Sequence, residues 1–126
     1  VPGEIRPAGD FYSYDAKYLD DTSELLIPAP LPAEISKQIR RMARQACQAV
    51  DVAGMCRVDF LIEPAEYTIY IGEINTLPGF TSISMYPKMW EASGLSYAAV
   101  IDRLIELALE RKADNDQTER QYRRNE

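Results

Sequence analysis

The sequence contains no histidine and only two cysteines, Cys47 and Cys56. Without imidazole, the usual general base for a serine or cysteine nucleophile is missing. Without histidine or a C-x-x-C pair, a structural zinc site has no ligand set. Cys47 falls in a predicted helix and Cys56 in a predicted strand, so two isolated buried thiols are expected rather than a disulfide. No apolar run approaches the ~20 residues that a membrane-spanning helix needs. The opening "VPGEIRPAGDFYSYD" lacks a basic start followed by an apolar stretch, so it is not read as a signal peptide. Positive charge is scarce too: 14 Lys and Arg against 20 Asp and Glu, a net charge of −6. Neither a nucleic acid nor a membrane is therefore expected as a partner, since a polyanion favours a basic surface. Chemistry in this chain must use carboxylates, Arg, Lys, hydroxyls and backbone, with a hard cation as helper.

What is present reads as one globular domain: 126 residues, 46% hydrophobic and 27% charged. The chain opens on Val, and "VPGEIRP" reads as the exit of a preceding element, so a C-terminal piece of a longer protein is expected. Residues 1–10 suggest a short strand end broken by Pro and Gly. The stretch "FYSYDAKYLDDT" suggests an ordered loop or short helix. "LIPAPLPAE", with three prolines, reads as an extended linker, and Pro32 suits the first turn of a helix. That helix is predicted to run to about Asp51, with Ile35, Ile39, Met42, Ala46 and Val50 as one apolar stripe and Arg40, Arg41, Arg44 and Gln48 on the wet side.

"MCRVDFLIE" and "YTIYIGEIN" predict a hairpin joined by "PAE". Alternation places Val58, Phe60 and Ile62 on one face and Arg57 and Asp59 on the other. On the partner strand it places Tyr70 and Ile74 on one face, Glu73 and Asn75 on the other. A turn centred near Glu66 sets Asp59 opposite Glu73 and Arg57 opposite Asn75. Two opposed carboxylates repel, so something positive should lie between them. "YPKMWEASG" then predicts a short helix ending at Gly94, with Ser96 as the N-cap of a last helix. The last helix carries Tyr97, Val100, Ile101, Leu104, Ile105 and Ala108 as its stripe. Residues 1–111 form the expected domain, and 112–126 a polar, disordered tail. The fold class is α+β, with Val58, Phe60, Ile62, Ile39, Met42, Val50, Ile101, Leu104 and Ile105 as the expected core.

Asp59, Glu73 and Asn75 form an all-oxygen set, which suits magnesium or manganese and, through it, phosphoryl chemistry. The alternative is a surface acid pair neutralised by Arg57. The Arg57 fork suits an oxygen that gains negative charge, or equally a structural ion pair with Asp59. The loop "TLPGFTSIS" offers backbone N–H groups near Gly79 and hydroxyls at Thr81, Ser82 and Ser84, which suit an anion, although an ordinary turn has the same composition. Lys17, among Tyr12, Tyr14 and Tyr18, can close over a phosphate or simply be solvated.

Taken together, "FYSYDAKY", "RVDF" and "EINTLPGFTSISMYPKMWEASG" resemble the C-terminal part of the D-alanine–D-alanine ligase family, of the ATP-grasp superfamily, over residues 1–111. The resemblance implies an antiparallel sheet packed by helices, and a cytoplasmic enzyme of peptidoglycan precursor synthesis, homodimeric in full length. It implies ATP and two Mg2+ (or Mn2+) as cofactors and D-alanine as substrate. ATP would phosphorylate one D-alanine carboxylate, and the amine of a second would attack the acylphosphate. By position, Asp59, Glu73 and Asn75 match the metal-holding residues, with Glu73 bridging. Arg57 and the Gly79 N–H match the oxyanion groups. Ser84 and the Met85 N–H match the site of the second substrate's carboxylate, and Lys17, Tyr18 and Tyr12 match the closing loop. "DAKY" favours a D-alanine acceptor over the D-lactate acceptor of related ligases. The N-terminal and central parts of such a ligase, with their glycine-rich phosphate loop, are missing, so this chain alone is expected to be inactive. A non-catalytic nucleotide- or protein-binding remnant is the competing reading.

Overall fold

The computed structural model describes residues 1–7 and 24–117. Strand β1 (Glu4–Arg6) pairs antiparallel with β2 (Glu24–Leu26), Ile5 opposite Leu25. Part of the expected proline linker is therefore strand. Helix α1 (Ala33–Ala49) starts directly after Pro32. It is followed by the hairpin β3 (Arg57–Glu63) and β4 (Thr68–Asn75), the short helix α2 (Met85–Glu91) and the last helix α3 (Tyr97–Asp116). Among the described residues the sheets are two antiparallel pairs, β1–β2 and β3–β4, and the expected α+β class holds.

The hairpin register is the one alternation dictates at its open end: Arg57 opposite Asn75, Val58 opposite Ile74 and Asp59 opposite Glu73. Below that point the ladder slips by one. Phe60 pairs with Ile71, leaving Gly72 as an extra residue on β4. A bulge of this kind reverses the parity of the strand beyond it. The apolar face becomes Val58, Phe60 and Ile62 with Ile74, Ile71 and Ile69 across from them. Tyr70, expected beside Ile74, instead pairs with Leu61 and shares the face of Arg57 and Asp59. The turn is closed by Glu63, whose carboxylate accepts from the N–H groups of Ala65 and Glu66 at 3.0 and 2.9 Å.

Helix α1 packs across both hairpin strands. Ile39 and Ala46, two turns apart, are buried, and Ile35 and Met42 are half-buried beside them. Val50, expected in the same stripe, is 54% exposed. The helix has ended by then, and the chain reverses through Asp51 (φ 50) and Gly54 (φ 81). At Gly54 the positive φ is one that residues with a Cβ rarely adopt. The reversal brings Cys56 back beside Cys47, close enough for the two thiols to influence each other. Both thiols are free and half-buried, so they are neighbours rather than the isolated pair expected.

Burial concentrates where α2, α3 and the loop before them meet: Met85, Tyr86 and Val100 lie in the core. Ser96 caps α3, its hydroxyl accepting from the Ala99 N–H at 3.3 Å. Gly94, at φ 92, provides the reversal between the two helices. The α3 stripe is covered only at its start. Leu104 is half-buried, but Ile101 and Ile105, both expected in the core, are 37% and 55% exposed. Neither is enclosed by the described residues. Helix α3 also runs to Asp116, past the boundary expected at Arg111, with a Lys112–Asp116 ion pair of 2.6 Å one turn apart. Residues 118–126 of the expected tail lie outside the described residues.

This uneven burial separates two apolar positions of one helix. Val100→Ala should cost about 2 kcal/mol in urea unfolding, because it empties a filled site. Ile105→Ala should cost no more than about 0.5 kcal/mol, as for an exposed position.

Candidate functional site

Two segments build the site: the open end of the β3–β4 hairpin, and the loop from Thr76 to Ser84 that leads into α2. At the strand ends, Asp59 and Glu73 face each other across the ladder, with Asn75, opposite Arg57, two pairs further along. The positive group expected between the carboxylates is Arg57. Its Nε donates to Asp59 Oδ1 at 2.7 Å and its Nη2 to Asp59 Oδ2 at 2.9 Å, a two-pronged fork. The same Nη2 lies 3.6 Å from Glu73 Oε1. One guanidinium thus spans both acids. Asn75 turns its Oδ1 back to accept from the Leu77 N–H at 3.1 Å, which bends the chain out of the strand and into the loop.

Ser84 stands at the far end of the loop, immediately before α2. Its Oγ accepts from the Thr81 N–H at 3.1 Å and lies 2.9 Å from Thr81 Oγ1, while its own N–H donates to the Thr81 carbonyl at 3.0 Å. Gly79 comes against this pair. A Cβ there would lie 3.0 Å from Ser84 Oγ, tight enough to displace the hydroxyl. Met85 opens α2 with its side chain buried, so the backbone that follows Ser84 is anchored to the core.

An aromatic cluster pins the loop. The Phe80 ring lies 5.0 Å from Tyr97 and 5.7 Å from Tyr86, and Tyr86 meets Trp90 at 6.3 Å. The Tyr97 hydroxyl donates to the Phe80 carbonyl at 2.8 Å. Tyr97 was readable from the sequence only as an apolar stripe residue. An amphipathic ring at the start of a helix that follows a Pro-Gly loop was the available signal. The structure therefore brings Arg57, Asp59, Glu73 and Asn75 together on the hairpin, and Gly79, Ser84 and Met85 together around the loop. Lys17, Tyr12 and Tyr18 lie outside the described residues.

The donor set can be tested as a cation site. Among the described residues no cluster of three or more His, Cys, Asp or Glu side chains exists. Two carboxylates and an amide oxygen are what is present. This set fits a magnesium-like ion, which takes one or two carboxylates and leaves its other positions to water and phosphate. The opposed acids also require a cation for electrostatic reasons, which Arg57 meets in this structure. A divalent ion would compete with the guanidinium for Asp59.

The hairpin end bears opposed carboxylates and the loop after it carries hydroxyls, and the comparisons with known proteins specify the family. A family profile described as "D-ala D-ala ligase C-terminus" matches residues 1–106. The D-alanine–D-alanine ligase of Acetivibrio thermocellus is 53% identical over 113 residues, which cover 90% of this chain and 30% of that protein. Among solved structures, the D-alanine–D-alanine ligase of Coxiella burnetii superposes with a TM-score of 0.73 at 44% identity, covering 75% of this chain and 27% of that one. The VanG D-Ala:D-Ser ligase of Enterococcus faecalis gives 0.71 at 38% identity, over 83% and 30%. The Bacillus anthracis D-alanine–D-alanine ligase complexed with ATP gives 0.66 at 28% identity, over 72% and 31%. The chain belongs to the D-alanine–D-alanine ligase C-terminal family. It spans about a third of the length of the relatives it matches.

Two tests follow from the site's surroundings. Burial, and then the neighbouring Cys47 thiol, push Cys56 up from 9.0 to about 11. The neutral thiol is favoured in the fold, so its contribution to stability is full below pH 9 and is lost as pH rises through about 11. Alkylation of Cys56 by iodoacetamide should accordingly be slow at pH 8 and accelerate between pH 9 and 11. Tyr97→Phe should remove the bond to the Phe80 carbonyl at a cost of about 1 kcal/mol, and amide hydrogen exchange should rise in residues 76–84 more than in α1.

Proposed function

We propose that this chain is the C-terminal portion of an ATP-dependent ligase that joins two D-alanines through an acylphosphate, in the cytoplasmic synthesis of a peptidoglycan precursor. The observation that carries this reading is the Asp59–Glu73 pair, with Asn75 and Arg57 on the same hairpin face. Asp59, Glu73 and Asn75 would hold two Mg2+ or Mn2+ ions. Bound there, the ions would neutralise nucleotide phosphate oxygens.

The protein's own groups divide the remaining work. Arg57, released from Asp59, donates to the oxygen that gains charge when an amine attacks an acyl carbon, and the Gly79 N–H donates to the same oxygen. Ser84 and the Met85 N–H bind the carboxylate of the second D-alanine and aim its amine. Lys17, Tyr18 and Tyr12 close over phosphate and substrate. The N-terminal and central parts of the ligase, outside this chain, supply the first D-alanine site and most of the nucleotide contacts. The complete enzyme acts as a homodimer. The isolated chain, holding half a site, is inactive.

The acceptor is assigned as D-alanine on similarity. The sequence relatives at 53–55% identity over most of this chain are named for two D-alanines. The binding-remnant reading is weakened because Arg57, Asp59, Glu73 and Asn75 lie together on the hairpin and Gly79 lies against Ser84 in the loop after it.

The test is ADP release by the full-length protein carrying this chain. Release should depend on D-alanine. Glu73→Ala should be nearly inactive, and Arg57→Ala should lose about 10²–10³-fold in kcat. D-alanine-independent ADP release, or full activity in Glu73→Ala, would contradict the reading.

A further inference from the structure

The Ser84 hydroxyl has one proton to give and two lone pairs to accept with. The Thr81 N–H fills one of those acceptor positions, at 3.1 Å. The Thr81 hydroxyl oxygen lies 2.9 Å from Ser84 Oγ, so one of the two hydroxyls donates to the other. If Thr81 donates, both Ser84 acceptor positions are filled and only its proton remains for a ligand. The return bond from the Ser84 N–H to the Thr81 carbonyl, at 3.0 Å, locks the two residues into a reciprocal pair. A carboxylate is acceptor-only at neutral pH and needs a donor of this kind.

Thr81 itself is exposed, so it has little packing to contribute. Its one distinctive feature is what it does to Ser84. Gly79 completes the arrangement, because its bare Cα leaves the space beside Ser84 Oγ that a Cβ at 3.0 Å would take.

We propose that Thr81 is a positioning residue: its hydroxyl donates to Ser84 Oγ alongside its N–H, which leaves the Ser84 proton for the carboxylate of the acceptor substrate. The inference rests on the ligase reading above and adds to it a residue whose effect is confined to the second substrate. Thr81→Val keeps the shape and the N–H but removes the hydroxyl. The Thr81 N–H bond to Ser84 Oγ then remains, but the second acceptor position opens and the Ser84 proton is no longer committed. Thr81→Ser keeps the hydroxyl and should behave like the unsubstituted protein.

The experiment is steady-state ADP release by the full-length protein, varying D-alanine and ATP separately. Thr81→Val should raise KM for the acceptor D-alanine about 10-fold, the effect of one hydrogen bond to a charged group. Its kcat and its KM for ATP should stay within about twofold, and Thr81→Ser should restore the acceptor KM. An unchanged acceptor KM in Thr81→Val would overturn the proposal. So would equal rises in the KM for ATP and for acceptor, which mark a general loosening, or a Thr81→Ser variant as impaired as Thr81→Val. If the unsubstituted protein releases no ADP with D-alanine, the functional reading itself fails, and this inference falls with it.

Discussion

The structure turns on one electrostatic constraint: two carboxylates placed directly opposite each other on an antiparallel hairpin. Asp59 and Glu73 face one another across the ladder, an arrangement that destabilises the strand pair unless a cation lies between them. Arg57 supplies that cation from two residues away, with both prongs of its fork on Asp59 and one nitrogen within reach of Glu73. Much of the rest serves to keep this register fixed. The isoleucine-rich opposite face holds the pairing, because a slip by one residue would turn that face outward. Helix α1 lies across both strands and buries Ile39 and Ala46. A hairpin with acids on one face and apolar residues on the other has a single acceptable alignment.

The loop after the hairpin is held by a different principle. Asn75 bends the chain out of β4, and the reciprocal Thr81–Ser84 bonds close the loop at its other end. Phe80, Tyr86 and Tyr97 fasten its middle to α2 and α3. The result is a set of small hydroxylated residues and a bare glycine, on a loop fixed at three points. Binding groups on a loop need such a scaffold to be precise in space. The core beneath is thin, with burial gathered at α1 and at the α2–α3 junction. Exposed Leu61, Tyr70, Ile101 and Ile105 accompany a chain that spans about a third of its relatives.

Much of this was legible in the sequence, for identifiable reasons. Strand alternation with a turn placed near Glu66 set Asp59 opposite Glu73 and Arg57 opposite Asn75; the turn lies slightly earlier, and the bulge at Gly72 restores that pairing. Helical spacing found Ile39 and Ala46, and a serine ahead of an apolar stripe found the Ser96 cap. The misses share a cause: local periodicity carries no information about where a regular pattern is interrupted or what covers it. The bulge at Gly72 moved Tyr70 to the site face. The early end of α1 exposed Val50. The α3 stripe is regular, but Ile101 and Ile105 stay exposed. The Phe80–Tyr97 bond and the Thr81–Ser84 pair are contacts of side-chain geometry, which spacing does not reveal. The charged and hydroxylated candidates were singled out because their chemistry is unusual. The residues that hold them in place were not, because theirs is ordinary.

In the proposed function the Asp59–Glu73 pair is a cation site at which Arg57 and a divalent ion compete. Manganese binding, followed by electron paramagnetic resonance on the full-length protein in the presence of ATP, tests it directly. Glu73→Gln should weaken Mn2+ binding by at least about 10-fold, because it removes a hard anionic ligand. Unaltered Mn2+ binding in Glu73→Gln would contradict the account and leave the opposed carboxylates as a structural ion pair with Arg57.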